Sequence, residues 1–271
     1  MVTIDPVAPR GGRPRLPIAE VRWSTVLAPV LLGVIVVVAW ETFVDQADIK
    51  PFILPAPSAI WDQVTANRES IVSGARVTGG NALWGMLGGA LLGVVGAAVA
   101  GTFRFVDQMA APVVAALAVI PIVALAPVLY SMFGAAVNSG RIIVAGISVA
   151  IPVYLNTLRG IRQVRAVHRD LMTAYAASPL QRIRAVTLPT ATPYVFTGLR
   201  IASSLAVIAA LIAEYFGGPI GGLGKSITSS AASSNYPLAW AYVTGAIGLG
   251  LLFYVVTLLA ELWFSRHQPA P

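Results

Sequence analysis

Residues 170–189 read DLMTAYAASPLQRIRAVTLP (Asp170–Pro189), a polar, cationic island in an otherwise apolar chain. Leu171, Ala174 and Tyr175 fall on one face of a short helix. Ser178 followed by Pro179 is an N-cap and first-turn pair for a second helix, on which Leu180, Ile183 and Val186 line up. Two short helices with a break between them, placed between membrane spans, present a docking surface to something outside the bilayer. The question becomes what the chain couples to, rather than which reaction it catalyses.

The surrounding composition supports that setting. Of 271 residues, 57% are hydrophobic and only 11% charged, where a soluble domain carries about a quarter charged residues. The chain therefore reads as an all-α polytopic membrane protein. Cysteine is absent, which excludes disulfides, thiolate metal sites and cysteine nucleophiles. His168 and His267 each adjoin an arginine, so no histidine metal cluster is expected. The net charge of +7 does not point to nucleic acid, because aromatic residues are not interleaved with the basic ones.

A bilayer core needs about 20 apolar residues per helix. Six segments meet that length: residues 25–44, 77–101, 108–132, 138–158, 194–215 and 239–263. Pro121, Pro127 and Pro152 are expected to kink the third and fourth. Gly85, Gly88, Gly89, Gly93 and Gly96 give the second span small faces for close packing. Residues 1–24 read as a disordered basic tail, 25–265 as the membrane domain with a loop over 159–193, and 266–271 as a short second tail. No small-residue cleavage site closes the first apolar run, so it is expected to stay as a span.

Lys and Arg outside the spans set the orientation. With the N-terminus in the cytosol, that side holds Arg10, Arg13, Arg15, Arg22, Arg104 and Arg266, plus Arg159, Arg162, Arg165, Arg169, Arg182 and Arg184 of the loop. The other side holds Lys50, Arg68, Arg76, Arg141 and Lys225. Twelve against five makes both termini and the Asp170–Pro189 island cytosolic. On the outer side, LPAPSAI (Leu54–Ile60) is an extended proline turn leading into a short helix around Ile60–Val64. FGGPIGGLGKSI (Phe216–Ile227) is a glycine-rich turn. No strand precedes it, so it reads as a tight surface or re-entrant turn and not as a phosphate cradle.

These residues carry a resemblance. The island is similar to the cytoplasmic loop E-A-A, three residues, G, nine residues, I-x-L-P of bacterial ABC importer permeases. Asp170 stands at the Glu position, Ala176 at the Gly position, and Val186, Leu188 and Pro189 at the I-x-L-P end. LPAPSAI, the proline-rich PVVAALAVIPIVALAPVLYSMFG and PYVFTGLRIA add to the match, which runs from about Trp23 to Phe264. The chain resembles the branch serving sulfonate, taurine, nitrate and pyrimidine precursors. It departs from the pattern at Leu171, Met172 and Ala176. Those departures imply either a partner groove of matching shape or drift within a tolerant loop.

The resemblance implies a type I importer fold with cytoplasmic coupling helices and two permease copies, here a homodimer. It also implies two ATPase subunits that bind ATP and Mg, and an extracytoplasmic binding protein that delivers substrate. This chain holds no nucleotide-binding motif of its own, so it is expected not to be an enzyme. In that arrangement Leu171, Met172 and Tyr175 give apolar contact to the ATPase, with Arg182 and Arg184 giving electrostatic attraction. The bland alternative is a cationic loop against lipid headgroups.

Ionisable residues within spans are costly and suggest function. Arg200 sits near the cytosolic end, where it either snorkels or pairs with a loop carbonyl. Glu214, beside Tyr215, reads either as a residue facing the pore or binding protein, or as a hydrated rim carboxylate. Ser203, Ser204, Asn81, Tyr154 and Asn156 are further candidates for the substrate path. The Glu-Tyr-Phe-Gly-Gly run ahead of Gly222-Leu223-Gly224 resembles permeases of pyrimidine-like heterocycles, and no cationic cluster in the spans suggests an anion site. An ion-coupled secondary transporter or channel is the alternative, which inverted repeats with broken helices would mark. A membrane enzyme lacks any nucleophile, dyad or metal constellation.

Overall fold

The computed structural model describes residues 23–134, 136–216 and 221–265, and among them there is no strand. The basic tails expected at 1–24 and 266–271 lie outside the described residues, apart from the start of the first helix. That helix, α1 (Trp23–Gln46), includes the apolar stretch Leu27–Gln46, long enough to cross a bilayer. It forms a unit by itself.

The second unit begins at Ile49. Its helices are α2 (Pro57–Ala66), α3 (Arg68–Thr102), α4 (Arg104–Val119), α5 (Ile122–Phe133), α6 (Ser139–Arg162), α7 (Ala166–Ala174), α8 (Pro179–Arg182), α9 (Leu188–Tyr215), α10 (Leu223–Ala232) and α11 (Tyr236–Ser265). The short helix expected around Ile60–Val64 is α2, which starts on Pro57 and buries Ile60. Two ends follow from the helix directions: a loop end carrying residues 159–193, and a far end carrying α2 and α10.

The core is α3, α6 and α9. α3 and α6 run side by side because glycines bring their backbones together. A Cβ at Gly89 would lie 2.2 Å from the Gly146 carbonyl oxygen, one at Gly85 2.5 Å from the Ala145 Cβ, and one at Gly93 2.8 Å from the Ala150 carbonyl oxygen. Small residues at four-residue spacing let helices approach closely in a bilayer, where packing replaces the hydrophobic effect as the driving force. Only part of the glycine pattern works this way. Gly88 faces open space, and Gly96 makes ordinary contact with the Tyr154 ring. Val144, Val149, Val153, Ala202, Ala206 and Ala210 complete the interior. At the far end Leu223 of α10 packs on Ile71, Ala241 and Tyr242.

Two expectations about the spans need correction. The third apolar segment is not one kinked helix. α4 and the following helix are bent by 102° at a break on Ile120 and Pro121, whose ψ values of 124° and 106° are extended. A residue before proline is pushed out of the α region, and here two extended residues in a row turn the chain. Pro112, Pro127 and Pro152 all stay inside helices. The second helix of the loop is not separate from the fifth span either. α8 continues through a π-helical segment, Ile183–Thr187, into α9, giving one helical stretch of 37 residues from Pro179 to Tyr215. Pro189 has no N–H to offer the Ala185 carbonyl, and the π turn, with Leu188 N–H donating to the Ile183 carbonyl, carries the helix past that gap. Among the described residues, five helices are long and apolar enough to cross a membrane, and six if the bent pair is one span.

Candidate functional site

At the loop end, α7 buries none of its residues. Leu171 is 47% and Tyr175 76% exposed, with Val167 on the same helical face. After Tyr175 the chain turns on Ala176, whose φ of 48° is left-handed. This is where the resemblance places a glycine, and an L-residue there carries a steric cost. Ser178 then caps α8 in a capping box: its side chain accepts from the Gln181 N–H, and the Gln181 side chain accepts from the Ser178 N–H at 2.7 Å. The Arg182 Nε donates to the Ala177 carbonyl at 3.0 Å, tying the turn shut.

Asp170, Leu171, Tyr175, Ala176, Arg182, Arg184, Leu188 and Pro189 are all exposed, and Met172 is half-buried. With Leu180 and Leu188 more than half exposed, an apolar row runs through a basic surface. Beside it, Arg162 and Asp107 form an ion pair that joins the end of α6 to the start of α4.

The far end holds a second polar constellation, and it changes the reading of Glu214. The carboxylate is fully buried, so it is not a hydrated rim group. The Thr78 hydroxyl lies 2.9 Å from both carboxylate oxygens and donates to them. The same hydroxyl accepts from the Leu223 N–H at 2.9 Å. The Gly224 N–H donates to Glu214 Oε2, also at 2.9 Å. One buried carboxyl group thus accepts from the first turn of α10.

The glycine-rich turn follows from this contact. A Cβ at Gly222 would stand 2.5 Å from the carboxyl carbon, and one at Gly224 2.4 Å from the Leu211 carbonyl oxygen. Residues 217–220 of the turn lie outside the described residues. Next to this carboxyl group, the Tyr130 hydroxyl donates to the Ala213 carbonyl at 2.6 Å and accepts from Arg141 Nε at 3.3 Å. Arg141 is fully buried, although its position suggested an outer-loop residue.

The remaining path candidates divide. Ser204 and Tyr215 line an apolar cavity of 580 Å³ between α9 and α11, with Val207, Leu211 and Ile247. Ser203 is buried and donates to the Arg200 carbonyl while accepting from the Thr257 hydroxyl, so it packs α9 on α11. Asn81 and Tyr154 are buried inside the helix packing. The half-buried Asn156 donates to the Pro152 carbonyl at 2.8 Å. Arg200 has a partner that neither reading of its position named. It pairs with Glu261 of α11 at 3.1 Å, a carboxylate missing from the sequence reading.

Sequence reasoning also missed Thr78, Tyr130, Arg141 and Val167. For Val167 the four-residue spacing to Leu171 was the available signal. A polar cavity of 470 Å³ opens between α3, α10 and α11, lined by Glu69, Ser70, Ser73, Gly222, Ser226 and Tyr242.

The sequence that forms this bundle and its exposed helical loop matches a known family. The family model for the inner membrane component of binding-protein-dependent transport systems matches residues 89–269. The chain belongs to that family. The permease is 30% identical to the riboflavin transport system permease protein RibX of Chloroflexus aurantiacus, over 91% of each chain. It is 28% identical to a probable ABC transporter permease of Haemophilus influenzae, over 84% of this chain and 92% of the relative. It is 27% identical to the formylaminopyrimidine transport permease protein ThiX of Halalkalibacterium halodurans, over 70% of this chain and 76% of the relative. Permeases named for nitrate, aliphatic sulfonates and bicarbonate also match, over 62%, 70% and 84% of this chain. The permease is a multi-pass membrane subunit of an ABC importer, a transport component and not itself an enzyme.

Proposed function

We propose that this permease takes its drive from separate ATPase subunits, which bind ATP and Mg, through the Asp170–Pro189 loop on the cytosolic side of a bacterial inner membrane. Both termini lie on that side, and two copies of the chain form the pore. A binding protein delivers solute at the far end. The observation that carries this reading is the exposed apolar row of Leu171, Tyr175, Leu180 and Leu188 on a basic loop. Lipid headgroups explain the arginines but not that row. A groove on a partner explains both, because aromatic and aliphatic anchors dominate such contacts.

The loop is also built to transmit force. The capping box and the Arg182–Ala177 bond fix its second half, and that half is continuous with a membrane helix. The ATP-driven change then moves a rigid element between two packed states. Placing an aspartate at Tyr175 desolvates a charge in the contact. Mg-ATP hydrolysis that co-purifies with the tagged permease is expected to fall at least tenfold in Tyr175→Asp. Full co-purified hydrolysis together with normal transport would sink the assignment.

For the solute we propose an uncharged nitrogen heterocycle. Two of the relatives are named for riboflavin and formylaminopyrimidine. The arginines inside the bundle are already engaged, Arg141 by Tyr130 and Asn138 and Arg200 by Glu261, which disfavours a dedicated site for sulfonate, nitrate or bicarbonate. Competition assays on cells dependent on this importer check it. Excess riboflavin or formylaminopyrimidine is expected to lower uptake of the other, and nitrate or an alkyl sulfonate to leave it unchanged. The reverse pattern would refute the heterocycle reading.

A further inference from the structure

The buried carboxyl group at the far end has no part in the coupling contact just described, yet it sits at the tip of the helix that begins there. From Pro179 to Tyr215 the chain is helical for 37 residues, about 55 Å at 1.5 Å per residue. Glu214 is next to its last residue. Its carboxylate holds the Gly224 N–H directly and the Leu223 N–H through the Thr78 hydroxyl. Three elements, α3, α9 and α10, therefore meet on one side chain. We propose that Glu214 is a positioning residue that fastens α10 to the tip of α9, so that α10 follows the movement of α9.

The chemistry of the contact supports a latch rather than a passive filler. Thr78 acts in both directions, accepting from α10 and donating to the carboxylate, so its hydroxyl has one satisfied orientation. Valine at that position has the same shape and breaks both bonds, whereas serine keeps them. Leucine at 214 is of similar size and accepts from neither Thr78 nor Gly224, whereas a single oxygen at the place of Oε2, which already takes both bonds, would let glutamine keep them. Gly222 and Gly224 leave no room for the carboxylate to retreat, since a Cβ on either would overlap its surroundings. The outcome matters for transport because Gly222 and Ser226 wall the polar cavity that also takes Glu69, Ser73 and Tyr242. A displacement of α9 would reshape that cavity through α10. This last step rests on the proposed transport function; the latch itself does not.

The chain contains no cysteine, so it accepts spin labels without prior removal of thiols. Labels at Ser229→Cys on α10 and Ile201→Cys on α9, both exposed positions, report the α9–α10 distance in full-length permease in lipid nanodiscs. The parent and Thr78→Ser are expected to give the same narrow distance distribution. Glu214→Leu and Thr78→Val are expected to widen it at least twofold. Should either the valine or the leucine variant fail to give monodisperse protein, the other decides. Parent-like distributions in the surviving variants would overturn the latch.

A second measurement separates positioning from general stability. In vesicles holding the permease with its ATPase and binding protein, Glu214→Leu is expected to cut solute uptake at least fivefold while keeping ATP hydrolysis within twofold of the parent. Equal loss of both would mean that Glu214 only supports the fold. Unlabelled parent vesicles without ATP-driven uptake would refute the transport reading and leave the distance result standing.

Discussion

Ala176 is the residue that most sharply links sequence to strain. Its φ of 48° places a Cβ where glycine has none, at a cost of about 1 kcal/mol. Ala176→Gly is therefore expected to relieve the turn by about 1 kcal/mol, seen as slower hydrogen exchange of the backbone amides from Ala174 to Ser178. Faster exchange there would show that the turn gains nothing from glycine. The departure from the family loop was visible in the sequence, but its sign was not, because a stiffer residue and a strained residue read alike without a dihedral angle. Glu214 shows the complementary limit. Its position late in an apolar helix was legible, whereas its partner Thr78 lies 136 residues away, and no local pattern announces such a pairing.

At the scale of helices, the glycine pattern of α3 separates into working and idle positions. Gly89 touches the α6 backbone and Gly88 faces open space. Gly89→Ala is expected to cost about 1–3 kcal/mol by forcing the helices apart. Gly88→Ala is expected to be neutral or to gain up to about 1 kcal/mol from helix propensity. Thermal unfolding of the detergent-solubilised permease checks both, and equal effects would contradict the α3–α6 contact. Composition and apolar length were enough to locate the spans. They could not give the 102° bend after α4, because proline spacing marks where a helix is vulnerable but not which proline breaks it. Nor did they show α8 running into α9. The N-cap at Ser178 was legible as a helix start, and the π turn that hides its end was not.

In the whole molecule the two polar constellations stand at opposite ends of one helical rod. The loop end offers exposed apolar contacts on a basic surface, and the far end hangs α10 on a buried carboxylate. Family membership makes the chain a transport subunit. In the proposed coupling, the rod is the route by which a push at one end would change the shape of the other. A single cysteine at the exposed Leu171 tests that account most directly. Permease carrying Leu171→Cys is placed in vesicles with its ATPase and binding protein, then treated with a bulky membrane-impermeant maleimide. The account predicts that the reagent, added on the same face as Mg-ATP, lowers binding-protein-stimulated ATP hydrolysis at least tenfold and has no effect from the opposite face. Undiminished stimulation after complete labelling, or labelling only from the face opposite Mg-ATP, would contradict it.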